Sequence, residues 1–167
     1  MPTAKQLLEK ELSAIIEKGY TEACYYFKVV SYRKVIFKGF YSPNIYQEIL
    51  SNQEILANLG ADTPQLKKIL AEELESILLT KGGVALPTQQ ETWIILNPFY
   101  LELGISPKLI IGLVEIVAHE TAHAVIFNWD IRWGHAEPHA EITKYLKDYY
   151  WRTYDWEKLL KEIKQKK

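Results

Sequence analysis

Residues 117–124 read V-A-H-E-T-A-H-A, and they sit inside a long run of apolar residues with helical spacing. All four histidines of the chain lie between His119 and His139. On a helix, residues four apart share a face, so His119 and His123 project together and Glu120 points about 100° round from His119. Their neighbours Val117, Ala118, Ala122, Ala124, Val125 and Ile126 are all apolar. Enclosing two imidazoles and a carboxylate among such residues costs a few kcal/mol unless each finds a partner. Any fold for this chain must bury this helix and also satisfy those three groups.

A chain of 167 residues predicts one domain, long enough to bury a core. Its 48% hydrophobic and 25% charged residues are ordinary for a globule, and a net charge of -1 gives no global pull toward nucleic acid or membrane. The single cysteine, Cys24, cannot form an internal disulfide and fits a reducing compartment. The charged first ten residues lack an apolar signal core, and the longest apolar run, residues 109–117 with Glu115 inside it, is shorter than a membrane span. A cytoplasmic setting without a membrane partner is the expectation.

Residues 3–18 have amphipathic helical spacing, with Leu7, Leu8, Leu12, Ile15 and Ile16 on one stripe and Gly19 as a stop. Residues 21–41 carry strand-forming Val, Tyr, Phe and Ile, yet Tyr26, Val29, Val30, Phe37 and Phe40 share a helical face. We read them as helix ending near Gly39. Ser42-Pro43, Thr63-Pro64 and Ser106-Pro107 each place a capping hydroxyl before a proline, the signature of a helix start. The first of these helices is expected to reach about Asn58. The second, with Leu66, Ile69, Leu70, Leu74, Ile77 and Leu78 on its buried side, stops at Gly82-Gly83. The third continues through Phe127. Residues 84–86 and 92–96 read as a hairpin or neighbouring strands, and residues 129–134 as a loop. A last helix begins near Pro138, with a kink near Thr153.

Two imidazoles four apart on a helix can direct their nitrogens at one zinc ion at about 2.0–2.1 Å. Glu120 borders such an ion without having to ligate it, which suits a general base taking a proton from an activated water. A catalytic zinc site has three protein ligands and a water, and the candidates for the third are His135, His139, Glu137 and Glu141. The short spacing of the metzincins is excluded, because Trp129 and Ile126 stand where that class has histidine and glycine.

Over residues 83–146 the chain resembles the SprT-like zinc metalloproteases, the family that includes the Spartan-type proteases of DNA–protein crosslinks. The resemblance rests on a strand reading W-I-I-L-N (Trp93 to Asn97), on the helix with H-E-T-A-H-A, and on a further histidine within about twenty residues. The family usually follows that histidine with glycine and places an aromatic four positions on. His135 has Gly134 before it but Ala136 after it. His139 follows Pro138, with Ala140 in place of the glycine and Thr143 in place of the aromatic. His139, which would sit in the first turn of the last helix, is the expected third ligand, with His135 as the alternative and a glutamate still open.

The resemblance implies a single α+β domain of the zincin kind, mostly helical, with a small sheet beside the active-site helix. Residues 1–82 would form a helical N-terminal part, 83–146 the zincin core, and 147–167 a C-terminal helix with a basic tail. It implies Zn2+ as cofactor, hydrolysis of peptide bonds in protein or peptide substrates, and nucleic acid as a further partner. In zincins the edge strand binds the substrate backbone, and Trp93 to Leu96 is a candidate for that edge, with a buried central strand as the alternative. Glu115, one turn before His119, is either an exposed carboxylate or a support for a ligand. The aromatics Tyr145, Tyr149, Tyr150, Trp151, Tyr154 and Trp156, followed by lysines, form either a stacking platform for single strands or a packed helix face with a solvated tail. The alternative in another class is a zinc-binding regulatory or DNA-interacting protein with little peptidase activity.

Overall fold

The computed structural model describes residues 2–166 apart from 62, 103, 105 and 132–136. The elements run α1 (Ala4–Tyr26), β1 (Lys34–Phe40), α2 (Pro43–Leu50), α3 (Gln53–Asn58), α4 (Pro64–Thr80), β2 (Gly83–Pro87), β3 (Glu91–Leu96), α5 (Phe99–Glu102), α6 (Pro107–Ile126), α7 (Glu137–Thr153) and α8 (Trp156–Gln165). This is an α+β chain, mostly helical, with one three-stranded sheet among the described residues. The strand order is β1-β3-β2, with β1 parallel and β2 antiparallel to β3.

Capping follows the sequence closely. Thr3 and Gln6 close a capping box on α1, Ser42 accepts from the Ile45 amide, and Thr63 accepts from the Leu66 amide. Ser106 makes no such bond, so α6 starts on Pro107 alone. The helix expected to run from Pro43 to about Asn58 is two helices. The Asn52 carboxamide accepts from the Ile55 amide at 3.0 Å and restarts the chain as α3. The expected kink near Thr153 is a break, after which Asp155 caps α8. The side chains of Ile77 and Leu78, expected on the buried side of α4, lie outside the described residues.

Residues 21–41 are not one helix. α1 runs on through Gly19 to Tyr26, the chain turns at Lys28 (φ 57°), and residues 34–40 form β1. The proposed helical face fails because Tyr26 and Val30 are exposed, whereas the strand-forming residues gain a hydrogen-bonded ladder on β3. Gly39 is not a helix stop either. It takes φ 107° at a bulge between Phe37 and Gly39, a conformation that suits a residue without Cβ.

Strand β3 is central and not an edge, since it pairs on both sides and residues 92–96 are all buried. Alternation along a strand sends successive side chains to opposite faces. Accordingly Ile94 and Leu96 join the large cluster with Leu12, Val117 and Leu146, while Trp93 and Ile95 join a smaller one with Ile45, Ile49 and Leu74. The sheet thus lies between α1, α6, α7 and α8 on one face and α2 to α4 on the other. The large cluster extends from Leu8 to Ile163. By length and composition α6 is apolar enough to cross a membrane, a longer stretch than the nine-residue run suggested, but 67% of its most apolar window is buried inside the protein.

Gly19 owes its place within α1 to α7. A Cβ there would overlap the phenol ring of Tyr150, which is buried and donates to Thr121 Oγ1 at 3.3 Å. Helix propensity alone would make Gly19→Ala stabilising by about 1 kcal/mol, while overpacking against a fixed ring costs roughly 1–3 kcal/mol. Overlap with a ring that cannot move should win. Gly19→Ala is expected to lower the urea midpoint, and an unchanged or higher midpoint would contradict this packing.

Candidate metal centre

Helix α6 carries His119 and His123 on one side of its fourth and fifth turns, and α7, packed alongside it, supplies His139 from its first turn. Pro138 as the second residue of α7 puts His139 at this position, as the sequence reading expected. One ligand atom from each of the three imidazoles lies within 4.8 Å of the others, and the ring centroids are 4.2–5.0 Å apart. Among the described residues this is the group of side chains that can hold a metal ion. Glu137 and Glu141 are exposed and stand outside it. His135 lies outside the described residues.

His139 is 4% exposed, and its Nε2 is 3.0 Å from the carbonyl oxygen of His119. A carbonyl only accepts, so a neutral ring donates from Nε2 and keeps its lone pair on Nδ1. The bond also ties the start of α7 to α6. Past the site, the His123 ring stacks on Phe127.

Glu120 faces the sheet side of α6. It is 3% exposed, and its Oε2 is buried with no hydrogen-bond partner among the described residues. Burial pushes its carboxyl up to about 8. Gly83 makes room for it, since a Cβ at that position would come within 3.3 Å of Glu120 Cγ and 2.9 Å of the Ile95 carbonyl oxygen. Tyr100 on α5 is also close, its phenol raised first by burial and then by the charge of Glu120. Three imidazole nitrogens within 4.8 Å of one another fit a dication such as zinc, while the carboxyl of Glu120, next to His119 in sequence, stands outside that group.

Glu115 does not touch a ligand. It is exposed and pairs with Lys147 of α7 at 2.7 Å. The aromatic series after the site is used mostly for packing: Tyr149, Tyr150 and Trp156 are core residues, and Tyr145 stacks on Tyr26 at 4.4 Å. Trp151 remains exposed.

Sequence reasoning missed the group that fixes the far end of α6. The buried Arg33 donates from Nη1 to the Phe127 carbonyl and to the Tyr32 hydroxyl, and from Nε to the Thr88 carbonyl at 2.7 Å. Its amide donates to Asn128 Oδ1, and Asn128 Nδ2 donates to the Tyr20 hydroxyl. A cation at a helix C-terminus is favoured by the helix dipole, so the guanidinium is compensated by carbonyl oxygens. No local signal marks Arg33, because its partners other than Tyr32 lie far along the chain.

No protein-family model, curated protein or solved structure compared with this chain matches it.

The buried carboxyl sets a pH dependence. With its pKa near 8 when folded against an ordinary carboxyl value of 4.5, the native state holds the proton more tightly than the unfolded chain. That contribution to stability is complete below the unfolded value and is lost as pH rises through the folded one. In metal-free protein, the melting temperature relative to Glu120→Gln should therefore fall between about pH 5 and pH 8. Parallel curves for the two proteins would contradict a neutral buried Glu120.

Proposed function

We propose that this chain is a zinc-dependent metallopeptidase of the zincin kind, with His119, His123 and His139 holding the ion and Glu120 as general base. The observation that carries this reading is the convergence of three imidazoles from two helices, with the buried carboxyl of Glu120 next to His119 on the same helix. The resemblance of residues 83–146 to SprT-like proteases points the same way.

Zinc, when bound, supplies a Lewis acid that acidifies a water and polarises a carbonyl oxygen. The protein's own part is positioning and proton transfer. A dication beside Glu120 favours the carboxylate, the form able to take a proton at Oε2. The same oxygen can then return that proton to the leaving amine. The apolar walls of α6 and the tight contact at Gly83 hold the carboxyl in one place and limit water around it. With β3 central, strand addition by a peptide falls to an edge strand, and β2 is the edge that adjoins Glu120 through Gly83.

The substrate class is protein or peptide. A regulatory zinc protein without activity would need the imidazoles but not a carboxylate buried beside them at an energetic cost. Glu120→Gln separates the two readings. The variant should retain one equivalent of zinc and lose cleavage of an unfolded protein by about a thousandfold, as expected for loss of a general base of the most effective kind. Wild-type protein that binds zinc yet cleaves neither unfolded nor DNA-bound protein would favour the regulatory alternative.

The ligand set has its own test. Zinc content measured after dialysis should drop in His119→Ala, His123→Ala and His139→Ala and stay near wild type in His135→Ala. Loss in His135→Ala with retention in His139→Ala would move the third ligand to the loop before α7.

A further inference from the structure

A cleft of about 350 Å³ opens between α6 and α7 directly beside the histidine cluster, lined by His119, His139, Ala140, Thr143, Lys144 and Lys147. Helical spacing explains its shape. His139, Thr143 and Lys147 form one row of residues four apart on α7, Ala140 and Lys144 form the next, and Glu115 precedes His119 in the facing row of α6. The imidazoles of His119 and His139 border it near the metal centre. The Glu115–Lys147 ion pair, at 2.7 Å, joins the two helices further along. Ala140 leaves room between them, and Thr143 turns its hydroxyl away to donate to the His139 carbonyl at 2.7 Å.

The charges do not balance within this cleft. Glu115 offsets Lys147, whereas Lys144 is exposed and makes no ion pair among the described residues. A zinc ion at the histidines would add positive charge to the same space. Lys144 stands five residues from His139, about 7.5 Å along the helix axis at about 1.5 Å per residue. An extended peptide advances about 3.3 Å per residue, so Lys144 falls about two residues from a bond held at the metal centre.

We infer that this cleft is a subsite for a carboxylate of the substrate, with Lys144 as its specificity-determining cation. The carboxylate belongs to an acidic side chain or to a free C-terminus within two residues of the scissile bond. The inference rests on the metallopeptidase reading for its substrate and on the cleft's geometry for its charge preference.

The test uses full-length, zinc-loaded Glu120→Gln protein, which binds without cleaving, and fluorescent peptides. These carry Glu, Gln or Lys at each position near the cleaved bond, with free or amidated C-termini. Anisotropy should give about fivefold tighter binding for an acidic peptide than for its lysine counterpart, the range of an exposed ion pair. Adding Lys144→Glu should cancel or reverse that preference. Lys161→Glu, the same charge change on α8 outside the cleft, should leave it intact. If the preference follows the free C-terminus and not the side chain, the carboxylate is the terminal one, and the subsite stands.

Equal affinities for all charges, or equal effects of Lys144→Glu and Lys161→Glu, would overturn the subsite. So would a loss in Lys144→Glu of binding to a single-stranded oligonucleotide with peptide binding unaffected, which assigns the lysine to phosphate. Wild-type cleavage of every peptide at one rate, together with charge-blind binding, would remove the subsite and leave the peptidase reading standing. Charge-selective binding without any cleavage by the wild type would sustain the subsite and overturn the peptidase reading.

Discussion

A carboxyl group enclosed in an apolar interior is the costliest feature of this protein, and the structure around it is organised to tolerate that cost. Glu120 sits on a helix whose neighbouring side chains, from Leu113 to Ile126, are mostly buried. Desolvation drives the group toward its neutral form, and its second oxygen finds no partner among the described residues. Such an arrangement lowers stability. It persists only where the remainder of the core offsets it, and here that core takes in residues from both ends of the chain.

The supports lie at identifiable points along α6. Gly83 lets the sheet approach the carboxyl, and the His139–His119 bond attaches α7 beside the fourth turn. Arg33 and Asn128 hold the C-terminal end against the loop after α1 and against the turn between β2 and β3. Because Ser106 contributes no side-chain cap, the helix is secured more firmly at the end nearer the histidines. This asymmetry steadies the later turns, which carry His119 and His123.

The local part of the site was legible in the sequence. His119, Glu120 and His123 are placed by helix periodicity alone, and Pro138 marks a helix start that brings His139 onto firm backbone. The capping hydroxyls at Thr3, Ser42 and Thr63 and the apolar stripe of α1 were legible for the same reason, since each depends on residues a turn or two away. What failed depended on distant partners. Residues 34–40 have a helical face as well as strand propensity, and only pairing with β3 decides between them. The centrality of β3, the Arg33 network and the cleft beside Lys144 arise where separate elements meet, and no spacing rule encodes that meeting. Gly19 misled because a glycine in a helix marks either an end or a close crossing, and Tyr150 is far away in sequence.

The parallel pairing of β1 with β3 also constrains how the chain comes together during synthesis. β1 leaves the ribosome well before β3, its strand neighbour among the described residues, which follows α2, α3, α4 and β2. The hairpin of β2 and β3 can close from adjacent sequence, whereas β1 must wait through a long loop closure before its ladder forms. Until then α1 holds its apolar stripe exposed, without the strand or the helix that later cover it. A strand made before its neighbour is thus finished only after it, and a nascent chain stopped short of Leu96 would present an unpaired strand to its surroundings.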